Sequence, residues 1–330
     1  MMNKPTIAIL GAGSWGTAIA IHLARSGNSV LLWGHNPKAI EKMQEEHQNK
    51  SYLPSIAFPS NLNLSDDFDW VIANANYLII AVPSHAFVEI LNRLPKPTKG
   101  LAWITKGIDP LSHKLLSDLV TEKWGTTCPF AIISGPSFAK EVAKNLPTAL
   151  TFASNDPVLQ KELQTLFHHA NLRVYSTKDT VGVQLCGAVK NVLAIACGLS
   201  DGLGFGANAK AALITRGLAE MTRLGLKMGA NEETFRGLAG VGDLVLTCTD
   251  DQSRNRRYGL YLGQGMTATE AETKINQVVE GKFNAAQVCH LAQYFKVEMP
   301  ICSQIDLLLK NKISAKEVAA NLMNRAPKEE

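Results

Sequence analysis

The chain reads as an α/β protein, with an N-terminal doubly wound, mostly parallel sheet followed by an all-α C-terminal domain. Three observations predict this. Short apolar runs alternate with helix-period segments through the first half, the grammar of successive βα units. Beyond about Thr177 the strand signals fade and Ala-rich helical segments take over. A length of 330 residues also exceeds what one ordinary core fills, so two domains are expected. They are placed at residues 1–185 and 186–330, with the boundary in the Val181–Lys190 stretch.

The elements follow in order. Thr6–Leu10 is a buried-strand run that ends in glycines. Ser14–Arg25 carries Trp15, Ile19, Ile21 and Leu23 at helical spacing. Ser29–Trp33 is a second strand, and Asn36-Pro37 opens a polar helix, with Asn36 as N-cap and Pro37 at its first position. Tyr77–Val82 is a strand stopped by Pro83. Leu101–Thr105 and Phe130–Ser134 follow, and Thr148–Ala153 and Leu172–Tyr175 extend the sheet. In the second half Val181–Leu199, Ala209–Leu226, Lys282–Phe295, Ile301–Leu309 and Ala315–Asn324 read as helices. Ser314 and Glu317 form a capping box for the last of them. The tail Ala326–Glu330 reads as frayed.

Composition narrows the function classes. The hydrophobic fraction is 46%, the charged fraction 19% and the formal charge +4. These are globular values with weak attraction for small anions and no nucleic-acid footprint. The six cysteines stand singly, with no C-x-x-C pair, so they read as reduced thiols and no metal site is expected. No stretch of about 18 apolar residues is read, so no membrane span is expected. The apolar run near the N-terminus is too short for a secretion signal. The expected compartment is the cytoplasm.

Gly11-Ala12-Gly13-Ser14-Trp15-Gly16 is a G-x-G-x-x-G between a strand and a helix, the context in which the motif binds dinucleotides. Gly11 permits the tight turn, Gly13 lets backbone approach a pyrophosphate, and Gly16 lets helix and strand pack closely. The helix N-terminus presents N–H groups to the phosphates. The first domain is therefore Rossmann-like. NAD-preferring sites usually carry a carboxylate about 20 residues further on. Here that region reads Trp33-Gly34-His35-Asn36-Pro37, without one. His35 and Lys38 could approach a 2′-phosphate, so NADP or dual use is favoured, with NAD alone left open.

Three polar clusters interrupt the apolar second half. Lys190-Asn191 lies inside an apolar helix, where a lysine must snorkel, pair or work. Burial beside another cation would lower its pKa into the range of a general acid or base. Asp243 and Thr247 lie in GVGDLVLTCT; the carboxylate is either a cap or turn residue, or it orients a lysine. Ser253-Arg254-Asn255-Arg256-Arg257 suits a phosphate, although a basic helix start of this kind is also found simply solvated. In the first half, Thr105-Lys106-Gly107 and Ser134-Gly135-Pro136-Ser137-Phe138-Ala139 both follow strand ends, where ligands gather in open α/β sheets.

In this order the segments resemble the bacterial-type NAD(P)-dependent glycerol-3-phosphate dehydrogenases. GAGSWGTA, Thr105-Lys106-Gly107, SGPSFAKE, GAVKNVLAIACG, NAKAALITRGLAEM, GLAGVGDLVLTC, SRNRRYG and Val279-Glu280-Gly281 carry the likeness from residue 11 to about residue 281. The resemblance implies interconversion of dihydroxyacetone phosphate and sn-glycerol 3-phosphate, a homodimer, and a supply of glycerol 3-phosphate to phospholipid synthesis. It implies that Lys190 is the acid–base lysine, joined at the substrate by Lys106, with Asp243 and Thr247 orienting lysine and substrate. Gly135 and Ser137 would touch the substrate, and Ser253, Arg254 and Asn255 would hold its phosphate. Cofactor contacts would come from Gly11, Gly13, Ser14, Trp15, Gly16, His35, Lys106, Ala139, Arg254, Val278 and Glu280. One departure stands out: Asp250-Asp251 precede Ser253, and two carboxylates there should repel a phosphate dianion. The rival readings are another lysine-dependent reductase, of 6-phosphogluconate or ketopantoate type, and a module that senses NAD(P)H without turnover.

Overall fold

The computed structural model describes residues 5–326. The tail expected to fray lies, beyond Ala326, outside the described residues. The chain divides into two compact units. One holds the residues up to Thr105 together with Leu116–Thr180. The other holds Lys106–Leu115 together with the residues from Val181 on. The expected boundary at 185/186 therefore falls inside a helix, and a ten-residue excursion carrying Lys106 belongs to the second unit.

The first unit is built from β1 (Thr6–Leu10), α1 (Ser14–Arg25), β2 (Ser29–Trp33), α2 (Pro37–Glu46), β3 (Leu62–Ser65), α3 (Phe68–Ala73), β4 (Tyr77–Ile80), α4 (Phe87–Arg93) and β5 (Leu101–Trp103). It continues with α5 (Leu116–Trp124), β6 (Phe130–Ser134), α6 (Ala139–Ala143), β7 (Thr148–Ser154), α7 (Pro157–Phe167) and β8 (Leu172–Thr177). The eight strands lie in the order β3-β2-β1-β4-β5-β6-β7-β8. Every neighbouring pair is parallel except β6 with β7. The order reverses at β1, which pairs with β2 on one side and β4 on the other. That is the switch point where ligands bind in such sheets. Ile7, Ile9, Val30, Leu32 and Ile79 on the strands share one core with Ile19, Ile21 and Leu23 of α1. The expected cap of α2 is present, with Asn36 Oδ1 accepting from the Ala39 N–H at 3.2 Å.

The second unit is helical: α8 (Thr180–Gly202), α9 (Ala207–Lys227), α10 (Glu232–Arg236), a π-helical stretch (Leu238–Gly242) continuous with α11 (Asp243–Thr249), α12 (Arg254–Gly263), α13 (Ala268–Ile275), α14 (Glu280–Tyr294), α15 (Pro300–Leu309) and α16 (Ala315–Met323). The Ser314–Glu317 capping box is formed. Against the expectation of no such stretch, α8 is by length and composition apolar enough to cross a bilayer, yet 94% of its apolar window is buried inside the fold. Lys190 and Asn191 break the apolar run in sequence without breaking the helix.

α8 and α12 meet main chain to main chain. A Cβ on Gly198 would stand 1.9 Å from the Arg256 carbonyl oxygen, and one on Gly259 would stand 2.0 Å from that of Ile195. Glycine is required at these two positions because no side chain fits against the opposite main chain there.

Candidate active site

In the first unit the glycine loop leaves β1 and opens α1. Gly11 has φ +131°, and a Cβ there would lie 2.8 Å from the Ala81 backbone. A Cβ on Gly16 would lie 2.0 Å from the Gly11 carbonyl oxygen. Gly13, the N-cap of α1, differs from both: a Cβ there would meet nothing within 4 Å. The helix has no side-chain cap, and the indole N–H of Trp15 is buried without a partner. Open space at Gly13, uncapped N–H groups and an orphaned donor fit the pyrophosphate of a dinucleotide. Asn49, a residue with no sequence signal, braces this loop, donating to the Ala12 carbonyl oxygen at 3.1 Å and to Thr17 Oγ1 at 2.9 Å.

The contrast between glycines makes a prediction. Gly13→Ala should leave the melting temperature unchanged and weaken NADPH binding by about ten- to hundredfold. Gly16→Ala should destabilise the fold itself. Thermal melts and cofactor titrations of both variants check this; equal effects on stability would remove the distinction.

His35 is exposed in the turn after β2, Lys38 is exposed in the first turn of α2, and no carboxylate side chain occurs between Trp33 and Lys38. At the end of β6, Gly135 has φ +119°. The Ser137 hydroxyl donates to its carbonyl oxygen at 2.9 Å, and Ala139 begins the short α6.

In the second unit four of the expected residues converge. Lys190 projects from the middle of α8, Lys106 from the excursion after β5, and Asp243 and Thr247 from successive turns of α11. Lys190 Nζ donates to Asp243 Oδ1 at 2.5 Å and to Thr247 Oγ1 at 3.0 Å. Lys106 Nζ donates to Asp243 Oδ2 at 2.7 Å. The Thr247 hydroxyl donates to the Asp243 carbonyl oxygen at 2.6 Å, which leaves its lone pairs for Lys190. Lys190 therefore pairs rather than snorkels: its side chain is 7% exposed and that of Asp243 is 1% exposed. Asp243 is neither an N-cap nor a turn residue. It lies inside the helical stretch that begins at Leu238, because Gly240 lets that stretch press on Phe235, with a Cβ position only 2.1 Å from the Phe235 carbonyl oxygen.

The electrostatics follow from this packing. Burial pulls the Lys190 ammonium down to about 8, opposed by the Asp243 carboxylate and reinforced by Lys106. Burial works to raise the Asp243 carboxyl, but the two ammonium groups outweigh it and hold it below its ordinary range. The result is a buried carboxylate, kept in its ionised form by two ammonium groups, gripping a lysine that burial brings down to about 8.

The neighbouring residues are tied to this cluster. Asn255 Nδ2 donates to Asn191 Oδ1 at 2.9 Å, and Asn255 Oδ1 accepts from the Gly281 N–H at 2.8 Å. The residue after Lys190 is thus bonded to α12 and, through it, to the start of α14. Asn191 has this linking role although its sequence context gave it none. Ser253 caps α12, accepting from the Arg256 N–H at 3.2 Å, and Arg254 is the first helical residue. Val278 is exposed and Glu280 opens α14. The acidic pair before Ser253 is engaged: Asp251 pairs with Arg256, and Asp250 Oδ1 accepts from the Gln252 N–H at 2.7 Å.

Comparison with known proteins agrees. Residues 6–160 match the family described as NAD-dependent glycerol-3-phosphate dehydrogenase N-terminus, and residues 179–320 match the corresponding C-terminus. A glycerol-3-phosphate dehydrogenase [NAD(P)+] of Legionella pneumophila strain Corby is 66% identical, with full coverage of both chains. That of Serratia proteamaculans is 51% identical over 98% of this chain and 97% of its own. The crystal structure of glycerol-3-phosphate dehydrogenase from Coxiella burnetii superposes with a TM-score of 0.94 at 47% identity, covering 98% of this chain and 99% of that one. The chain belongs to the NAD-dependent glycerol-3-phosphate dehydrogenase family.

Proposed function

We propose that the chain interconverts dihydroxyacetone phosphate and sn-glycerol 3-phosphate with NADPH or NADH. The observation that carries the reading is the buried Lys190–Asp243–Lys106 cluster. When bound, the reduced nicotinamide supplies the hydride for the C2 carbonyl. As the ketone is reduced, negative charge grows on its oxygen. An ammonium at Lys190 stabilises that charge and then gives up a proton. In the alcohol-oxidising direction the same nitrogen, deprotonated, takes the proton back. Asp243 keeps Lys190 aimed, and Lys106 supplies a second cation. A passive sensor of NAD(P)H would have no use for such a costly buried cluster.

Ser253, Arg254 and Asn255 hold the substrate phosphate, which lies remote from the reacting carbon and positions it. Gly135 and Ser137 contact the substrate, and Ala139, His35, Val278 and Glu280 contact the cofactor. With no carboxylate after β2, the reading favours NADPH or dual use. A cytoplasmic homodimer supplying glycerol 3-phosphate for phospholipid synthesis, without nucleic-acid partners, completes the proposal.

The test is oxidation of NADPH and of NADH by the purified chain, with dihydroxyacetone phosphate compared against unphosphorylated dihydroxyacetone. Rapid turnover of the phosphate ester is expected, with the free ketone turned over only slowly and at high concentration. Cofactor binding without turnover of either ketone would overturn the reading.

A further inference from the structure

A charged brace stands behind the first turn of α12, outside every role assigned above. Arg256 is largely buried, and its Nη2 donates to Asp201 Oδ2 at 2.5 Å. Its Nη1 donates to Asp251. Lys210 Nζ lies 2.9 Å from the same Asp201 oxygen. The Asp201 side chain is 13% exposed, against 80% for Asp251. Two carboxylates and two cations thus join the end of α8, the first turn of α9 and the loop that leads into α12. Arg256 is held twice over, since its backbone N–H also bonds the Ser253 cap.

The arrangement bears on the acidic pair. Asp250 and Asp251 immediately precede Ser253, and their charge opposes a dianion at Ser253–Asn255. Pairing Asp251 with Arg256 offsets part of that charge. An ion pair to so exposed a carboxylate is weak by itself. The shielded, charge-assisted bond to Asp201 is the stronger anchor, and it keeps the guanidinium where Asp251 can use it.

We propose that Asp201 is a positioning residue that sets the enzyme's preference for a phosphorylated ketone. It holds Arg256, and through it the first turn of α12 and the Asp251 charge, without touching the substrate. The inference rests on the reading of Ser253, Arg254 and Asn255 as the phosphate site.

Asp201→Asn keeps the shape and removes the charge. KM for dihydroxyacetone phosphate should rise roughly tenfold, with kcat changed less than about twofold. Competitive inhibition by inorganic phosphate should weaken by a similar factor, and KM for unphosphorylated dihydroxyacetone should not move. Arg256→Lys, which keeps the charge but loses the two-pronged grip, should give a smaller shift of the same kind, and it carries the test should the first variant fold poorly. A parallel rise in KM for both ketones, or a lower melting temperature with unchanged KM, would make the brace merely structural and overturn the proposal. Arg254→Ala separates the two levels. If it leaves the preference for the phosphate ester intact, the phosphate-site reading itself falls. If it abolishes that preference while Asp201→Asn does not, only the brace proposal falls.

Discussion

Lys190→Ala should lower kcat for dihydroxyacetone phosphate by about 10³-fold, the scale of a lost general acid, while NADPH affinity stays close to that of the parent chain. The expectation rests on separation of tasks. The lysine lies 6% exposed in the second unit, bonded to Asp243 and Thr247, whereas the pyrophosphate site proposed for the cofactor belongs to the loop at Gly11–Gly16. The pH dependence sharpens the test. Ketone reduction needs the ammonium, so in the parent chain its rate should fall as pH rises through about 8. Alcohol oxidation needs the free amine and should rise through the same region. Steady-state rates in both directions between pH 6 and pH 10 would show the two limbs crossing. In Lys190→Ala both inflections should vanish. Strong residual turnover with an unmoved profile would take the proton-transfer role away from Lys190.

Asp243→Asn should damage stability as well as rate. The substitution leaves Lys190 and Lys106 facing an amide, with Lys190 almost wholly buried. Removing one partner of a buried ion pair costs about 3 kcal/mol or more, or very roughly 6–12 °C in melting temperature for a domain of this size. The loss should depend on pH. Without the carboxylate that raises it, the Lys190 pKa falls further below its value in the unfolded chain. The unfolded state then binds more protons across that interval, so the stability of the variant rises with pH. Its deficit against the parent should therefore be larger at pH 7 than at pH 9. A deficit that does not change with pH would show that the carboxylate acts by packing, not by charge. Ketone reduction at neutral pH should fall as well, because the lysine has lost much of its proton.

Much of this was legible in the sequence, for identifiable reasons. β1, α1 and β2 were readable because a buried strand, a glycine turn and an apolar helix leave unambiguous patterns. The cap at Asn36 and the box at Ser314–Glu317 were readable because they are local side-chain-to-backbone chemistry. β3 was missed because it is a four-residue edge strand whose only apolar residues are Leu62 and Leu64, too short to show a period. The helical stretch around Asp243 was missed because Gly237, Gly240 and Gly242 look like turn residues. At Gly240 the glycine serves close packing instead, which only the fold reveals. The meeting of Lys106 with Asp243 spans 137 residues, and no local pattern announces it. The quieting of Asp250 and Asp251 was likewise invisible, since it depends on Arg256 and on a backbone turn at Gln252.

The glycine contact between α8 and α12 has a consequence for which ketones can react. In the proposed reading, one helix carries the proton donor and the other carries the phosphate anchor. Where Gly198 and Gly259 meet the opposite backbone no side chain intervenes, and the gap there is set by main chain, whose thickness does not vary with residue type. The enzyme then gauges its substrate as calipers do, by a fixed jaw opening between the reacting oxygen and the phosphate. Rotamer changes at the glycine contact cannot widen the spacing of the two helices. A methyl group at Gly198 or Gly259 would act as a shim. It would spoil the fit for the three-carbon ester and leave the chemical competence of Lys190 intact, so a change of substrate length is expected to require re-seating a whole helix.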